Sequence, residues 1–163
     1  MGHPVYNKAW ELGFLQALVP KFCGGPGKTQ VEEALVCEEL AWGCGGLYTS
    51  IMANGLGITP ILIAGSDEQK RQWLSKLVEA PVFAAFSLSE PNAGSDAGGM
   101  TCRAELKGDK YIINGTKCYC TNGGYADWYA LFASTDPSKG ARGTSCMIVP
   151  RDTPGLVVGK AMD

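Results

Sequence analysis

Apolar residues recur at helical spacing through the first eighty positions, then change to short runs and alternation. Pro4 can open a first helix whose apolar positions are Val5, Trp10, Leu12, Leu15 and Leu18. A Gly/Pro break from Cys23 to Lys28 precedes a second helix, with Thr29 as its cap and Glu32 as the returning half of a capping box. Val31, Leu35 and Trp42 lie close to one face of that helix. A third segment runs from Leu47 to Ala64, with Leu47, Ile51, Ile58 and Ile61 near helical spacing; Gly55, Gly57 and Pro60 predict that it bends. Ser66 with Gln69 forms another capping box, opening a helix that buries Trp73, Leu74, Leu77 and Val78.

After Pro81 the pattern is that of strands. Val82 to Ser89 is a short apolar run suited to a buried strand. Thr101 to Lys107 alternates, Gly108-Asp109 turns, and Tyr111 to Ile113 returns. Asn114-Gly115 is a strong hairpin signal and predicts a further strand over Thr116 to Thr121. Strands follow at Trp128 to Ser134, Ser145 to Val149 and Leu156 to Val158, separated by turn residues. The fold expected is α+β: a partial N-terminal helical bundle over residues 1–80, then a partial antiparallel β-barrel over 81–163. The last strand has no partner after it, so a fragment is as compatible with the pattern as a complete domain.

Composition narrows the function. The 163 residues are 45% hydrophobic and 18% charged, enough apolar material for a packed core. A net charge of −2 argues against a nucleic-acid partner. The apolar runs fall short of a membrane span, and no leader pattern opens the chain. The single histidine, His3, excludes a Ser-His-Asp triad and an HExxH metal site. Seven scattered cysteines without C-x-x-C give neither a disulfide framework nor a zinc site, and no metal is expected.

Gly27-Lys28-Thr29 is not a phosphate loop, because Phe22 occupies the position that needs the first glycine. Gly55-Leu56-Gly57 lacks the third glycine of a dinucleotide fingerprint. Two stretches carry more. Phe86-Ser87-Leu88-Ser89-Glu90-Pro91-Asn92-Ala93-Gly94-Ser95-Asp96 leaves a buried strand for a loop of small and hydroxyl residues, where backbone N–H groups and hydroxyls can approach a planar or phosphorylated ligand. Tyr119-Cys120-Thr121-Asn122-Gly123-Gly124 adds an aromatic ring and a hydroxyl before a flexible turn. Each alone also fits an ordinary surface loop.

Together these stretches resemble the acyl-CoA dehydrogenase family. Leu88 to Gly99 is similar to its Thr/Ser-Glu-Pro…Ala-Gly-Ser-Asp signature, and Tyr119 to Gly124 to its aromatic-Ile-Thr-Asn-Gly stretch. Ala9-Trp10-Glu11-Leu12-Gly13, Glu38-Glu39-Leu40-Ala41 and Gly65-Ser66-Asp67-Glu68-Gln69-Lys70 occur in the family's order, so the likeness covers essentially the whole chain and lies nearest the short- and medium-chain branch. The resemblance implies a flavoprotein of fatty acid oxidation that binds FAD and forms an α,β double bond in an acyl-CoA thioester. An electron-transferring flavoprotein takes the electrons, and the full-length family assembles as homo-oligomers. By family position, Phe86, Leu88 and Ser89 line the flavin, Tyr119 packs on its ring, Cys120 follows, Thr121 sits beside N5, and Ser95 reaches toward acyl-CoA.

Glu90 is a carboxylate within the motif, but the resemblance makes it a loop-shaping residue, and no catalytic residue is expected within the chain. The family's catalytic Glu belongs to a C-terminal helical domain beyond Asp163, so this stretch is expected to be inactive by itself. Tyr119 stands where a Trp is usual, Cys120 where an Ile is usual, and Ser87 where a small apolar residue or Cys is usual. Tyr48 and Met52 fall where the acyl pocket is shaped, leaving chain-length preference open. A flavin monooxygenase or oxidase of the same architecture, and a non-catalytic binding module, are the rival readings. Mitochondrial matrix and bacterial cytoplasm both fit. Faces made to pack on a further domain are expected to leave apolar patches that favour association.

Overall fold

The computed structural model describes residues 4–161. Four helices come first, α1 (Pro4–Glu11), α2 (Gln30–Gly43), α3 (Gly45–Ala64) and α4 (Asp67–Glu79). Five strands follow, β1 (Ala84–Ser87), β2 (Arg103–Lys107), β3 (Lys110–Asn114), β4 (Trp128–Ser134) and β5 (Thr144–Pro150).

α1 stops earlier than the apolar spacing predicts. Gly13 takes a left-handed φ of +79°, and the amides of Gly13 and Phe14 turn back to the carbonyls of Trp10 and Ala9. This is a glycine-closed helix end, which delivers Leu15, Ala17 and Val19 to the core from turns. Both capping boxes form, at Thr29/Glu32 and at Ser66/Gln69. α3 runs unbroken through Gly55, Gly57 and Pro60. Gly57 serves close packing: a Cβ there would lie 2.8 Å from the Ala84 Cβ on β1. By length and composition α3 is long and apolar enough to cross a membrane, which corrects the expectation that no run reaches that length. It buries Ile51, Ala53, Asn54, Gly57, Ile58 and Ile61 within the molecule.

The sheet is mixed rather than purely antiparallel. β4 pairs antiparallel with β5 along its whole length, and its other edge runs parallel to β1 and meets β2 at Arg103↔Ser134. The forty residues between β1 and β4 supply the long crossover that parallel pairing requires. The hairpin β2–β3 turns at Gly108-Asp109, with Lys107 opposite Lys110. Asn114-Gly115 is not a hairpin turn, and residues 116–121 form no strand. A Cβ on Gly115 would lie 2.6 Å from Cys102 Cβ and Sγ, so glycine is needed there for close approach. Residues 156–158 are likewise not a strand.

The alternation along β4 divides the core. Trp128 and Ala130 face the helices and pack with Val19, Ile58, Ile61, Leu74 and Leu77. Tyr129, Leu131 and Ala133 face the opposite side with Ala85, Cys102 and Ala104. Asn54, wholly buried, ties the layers together: its Nδ2 donates to the Leu15 and Val82 carbonyls, and its Oδ1 accepts from Ala84 N–H at 3.0 Å. α2 has no buried residue, and its expected apolar face lies open, with Val31 71%, Leu35 61% and Trp42 91% exposed.

Candidate functional site

β1 aims successive side chains at opposite faces of the sheet. Phe86 stacks at 5.1 Å, tilted, on Phe132. Ser87 points the other way and shares a 3.1 Å hydrogen bond with the Cys120 thiol, which burial pushes above its ordinary pKa against the lowering effect of that bond. Leu88 and Ser89, half-buried, then leave the strand.

Glu90 closes the loop. Its backbone exchanges hydrogen bonds with Ala93, and its buried carboxylate accepts from Thr101 N–H (2.6 Å), Thr101 Oγ1 (2.7 Å), Cys102 N–H (3.0 Å) and Lys117 Nζ (2.8 Å). Burial alone would raise its pKa. The Lys117 bond and the Thr101 and Cys102 donors outweigh that and bring it down to about 2. A carboxylate so held is a poor proton acceptor at neutral pH, which agrees with a loop-shaping role.

The 117–122 segment lies against this strand end. Lys117 Nζ also donates to the Leu88 carbonyl at 2.8 Å, and Cys118 N–H donates to the Ser89 carbonyl at 2.9 Å. The strand expected over 116–121 is replaced by these bonds and by the turn that Gly123 N–H closes onto the Cys120 carbonyl. Tyr119 and Asn122 take left-handed φ values of +53° and +61°. The Tyr119 side chain is 73% exposed, and Asn122 Nδ2 donates to the Ser50 carbonyl of α3 at 2.7 Å.

The structure thus brings Leu88 and Ser89 against the segment that carries Tyr119, Cys120 and Thr121. Neither the Ser89 nor the Thr121 hydroxyl has a hydrogen-bond partner among the described residues, and both residues are half-buried. Free hydroxyls and an exposed aromatic residue on two bonded segments are the kind of groups that can meet a planar heteroaromatic ligand. Ser95 is exposed, outside this bonded group. Tyr48 lines an open groove of about 520 Å³ between α2 and α3 with Glu33 and Cys37, and Met52 packs near Ala9, Leu15 and Ile51.

Three residues were not legible in advance: Lys117, Asn122 and Asn54. Lys117 left a signal, as the only charged residue between Tyr111 and Ala126. A lone cation in such a run is a candidate for burial with a carboxylate. Asn54 carried none, and Asn122, though part of the Tyr119–Gly124 stretch, gave no sign of its bond to Ser50, because their acceptors are backbone carbonyls far away in sequence.

Residues 1–80 match the model of the acyl-CoA dehydrogenase N-terminal domain, and residues 85–163 match that of the middle domain. The chain belongs to the acyl-CoA dehydrogenase family. It is 40% identical over 159 residues to a probable medium-chain specific acyl-CoA dehydrogenase 2, mitochondrial, of Caenorhabditis briggsae, covering 96% of this chain and 39% of the relative. The same identity and span relate it to the short-chain specific acyl-CoA dehydrogenase, mitochondrial, of Rattus norvegicus, of which 38% is covered. The chain therefore spans about two fifths of the length of these curated relatives. Butyryl-CoA dehydrogenase from Megasphaera elsdenii superimposes with a TM-score of 0.90 at 37% identity, over 99% of this chain and 44% of that one. The prolyl acyl carrier protein oxidase AnaB gives 0.90 at 35%, over 97% and 43%. An FAD complex of PigA gives 0.89 at 34%, over 97% and 42%.

Proposed function

We propose that this chain is the FAD- and acyl-CoA-binding portion of an acyl-CoA dehydrogenase, with residues 1–80 as its N-terminal helical domain and 81–163 as its middle β-domain. The observation that carries the reading is the hydrogen-bonded approach of Leu88–Ser89 to the segment of Tyr119, Cys120 and Thr121, each side of which carries a hydroxyl without a partner among the described residues. In this reading Phe86, Leu88 and Ser89 border the flavin from β1, Thr121 offers its hydroxyl, Tyr119 covers the ring, Cys120 holds the segment down on Ser87, and Ser95 approaches the acyl-CoA. Bound FAD supplies the acceptor for the hydride lost from the acyl β-carbon as the α,β double bond forms.

The residues of this chain then bind, orient and exclude water. The α proton needs a carboxylate base; Glu90, engaged by four donors, does not suit that role, and the family resemblance implies a base outside this stretch, which alone is expected not to turn over. Electrons pass to an electron-transferring flavoprotein, and the whole protein works as a homo-oligomer. The likeness to the acyl carrier protein oxidase favours one second reading, a flavin oxidase of the same architecture.

The test is the visible absorption spectrum of the purified chain after FAD addition and removal of excess, then after acyl-CoA. Retained flavin absorbance without bleaching is expected; a colourless protein would overturn the claim that this stretch holds FAD. Oxygen consumption on addition of thioester would favour the oxidase.

A further inference from the structure

Lys117 has an 8% exposed side chain and two acceptors, the side-chain Oε1 of Glu90 and the backbone carbonyl of Leu88 two residues before Glu90, both at 2.8 Å. Glu90 already accepts from Thr101 N–H, Thr101 Oγ1 and Cys102 N–H, which fasten it to the start of β2. A counter-ion for that carboxylate would have no need of Leu88. The contact with the Leu88 carbonyl lies next to a second rung, Cys118 N–H to the Ser89 carbonyl. The two rungs clamp the end of β1 onto the 117–121 segment. At its far end the same segment is pinned by Asn122 Nδ2 on the Ser50 carbonyl. Between the anchors lies Tyr119 with φ +53°, a conformation that persists only where the surroundings hold it.

We propose that Lys117 is a positioning residue: through the Leu88 carbonyl it sets the spacing between the Leu88–Ser89 strand end and the Tyr119–Thr121 segment. It thereby sets how far Ser89 stands from Thr121, two residues whose hydroxyls have no partner among the described residues. The inference rests on the flavin reading only for what binds beside these segments; the clamp stands on the distances above.

Two variants of the chain test it, Lys117→Met and Lys117→Met with Glu90→Gln. The single variant leaves a buried carboxylate without its cation and can lose stability for that reason alone. The double variant removes both charges while leaving the Leu88 carbonyl without its ammonium. Hydrogen exchange at the Cys118 amide in flavin-free protein, with β4 amides as the internal reference, reads the clamp directly. FAD affinity and the visible circular dichroism of bound flavin read its consequence.

In the double variant Cys118 should exchange at least about tenfold faster with β4 unchanged, and FAD should bind about ten- to a hundredfold more weakly. A double variant that keeps Cys118 protection and FAD affinity would show that Lys117 only neutralises Glu90, and would overturn the proposal. Lys117-dependent protection of Cys118 in a chain that takes up no FAD would uphold the clamp and overturn the flavin reading alone.

Discussion

Glu90 draws donors from two directions, from Thr101 and Cys102 just before β2 and from the 117–121 segment through Lys117. Its pKa of about 2 in the folded protein lies below the ordinary value of about 4.3 for an unfolded glutamate. Its contribution to stability is therefore present above about pH 4.3 and is lost as the pH falls toward about 2. Thermal unfolding followed from neutral to acid pH should show this drop, and Glu90→Gln should remove it while lowering stability at neutral pH. An unchanged acid profile in the variant would mean that other carboxylates carry the transition. Glu90 was legible as a loop-shaping residue from its motif. Its partner Lys117 was not, because lysines are overwhelmingly surface residues and only the folded path of residues 115–118 buries this one.

Among the elements, α4 shows how much local chemistry decides. Ser66 N–H donates to Gln69 Oε1 at 2.9 Å, and Gln69 N–H donates to Ser66 Oγ at 3.2 Å, satisfying two orphan donors within four residues of sequence. Ser66→Ala should lower stability by about 1 kcal/mol, and Ser66→Asp should retain most of it, as measured by urea midpoints at unchanged denaturant slope. Equal midpoints for Ala and the native serine would show that the packing of Leu74 and Leu77 outweighs the cap. α2 contrasts with it: the same kind of cap opens a helix that buries no side chain. The periodicity of Val31, Leu35 and Trp42 marked an apolar face correctly, but what covers such a face is a property of other chain segments.

For the whole molecule, that open face has a direct consequence. Exposed apolar residues on α2, together with Leu56 and Ile63 on α3, favour concentration-dependent self-association of this stretch. Sedimentation velocity over a concentration series should show it, and Val31→Lys with Trp42→Lys should reduce it. A concentration-independent monomer in the native sequence would contradict the expectation. The two layers hold together through Asn54 and the close approach of Gly57 to Ala84, and this junction places α3, with Ser50, within reach of Asn122.

The amino-acid sequence by itself determined what short-range forces control. The helix caps at Thr29 and Ser66 close bonds three residues apart, and β4 and β5 follow from runs suited to strands that turn residues bound on either side. The two loops that carry the family likeness could also be found there, since a likeness is a property of residue order. Only the tertiary structure decided the parallel pairing of β1 with β4, the loss of a strand at 116–121 and the burial of Lys117. Each depends on which distant backbone groups are left to bond. Residues 116–121 lie beside the carbonyls of Leu88 and Ser89, and those acceptors draw Lys117 and Cys118 away from any strand partner.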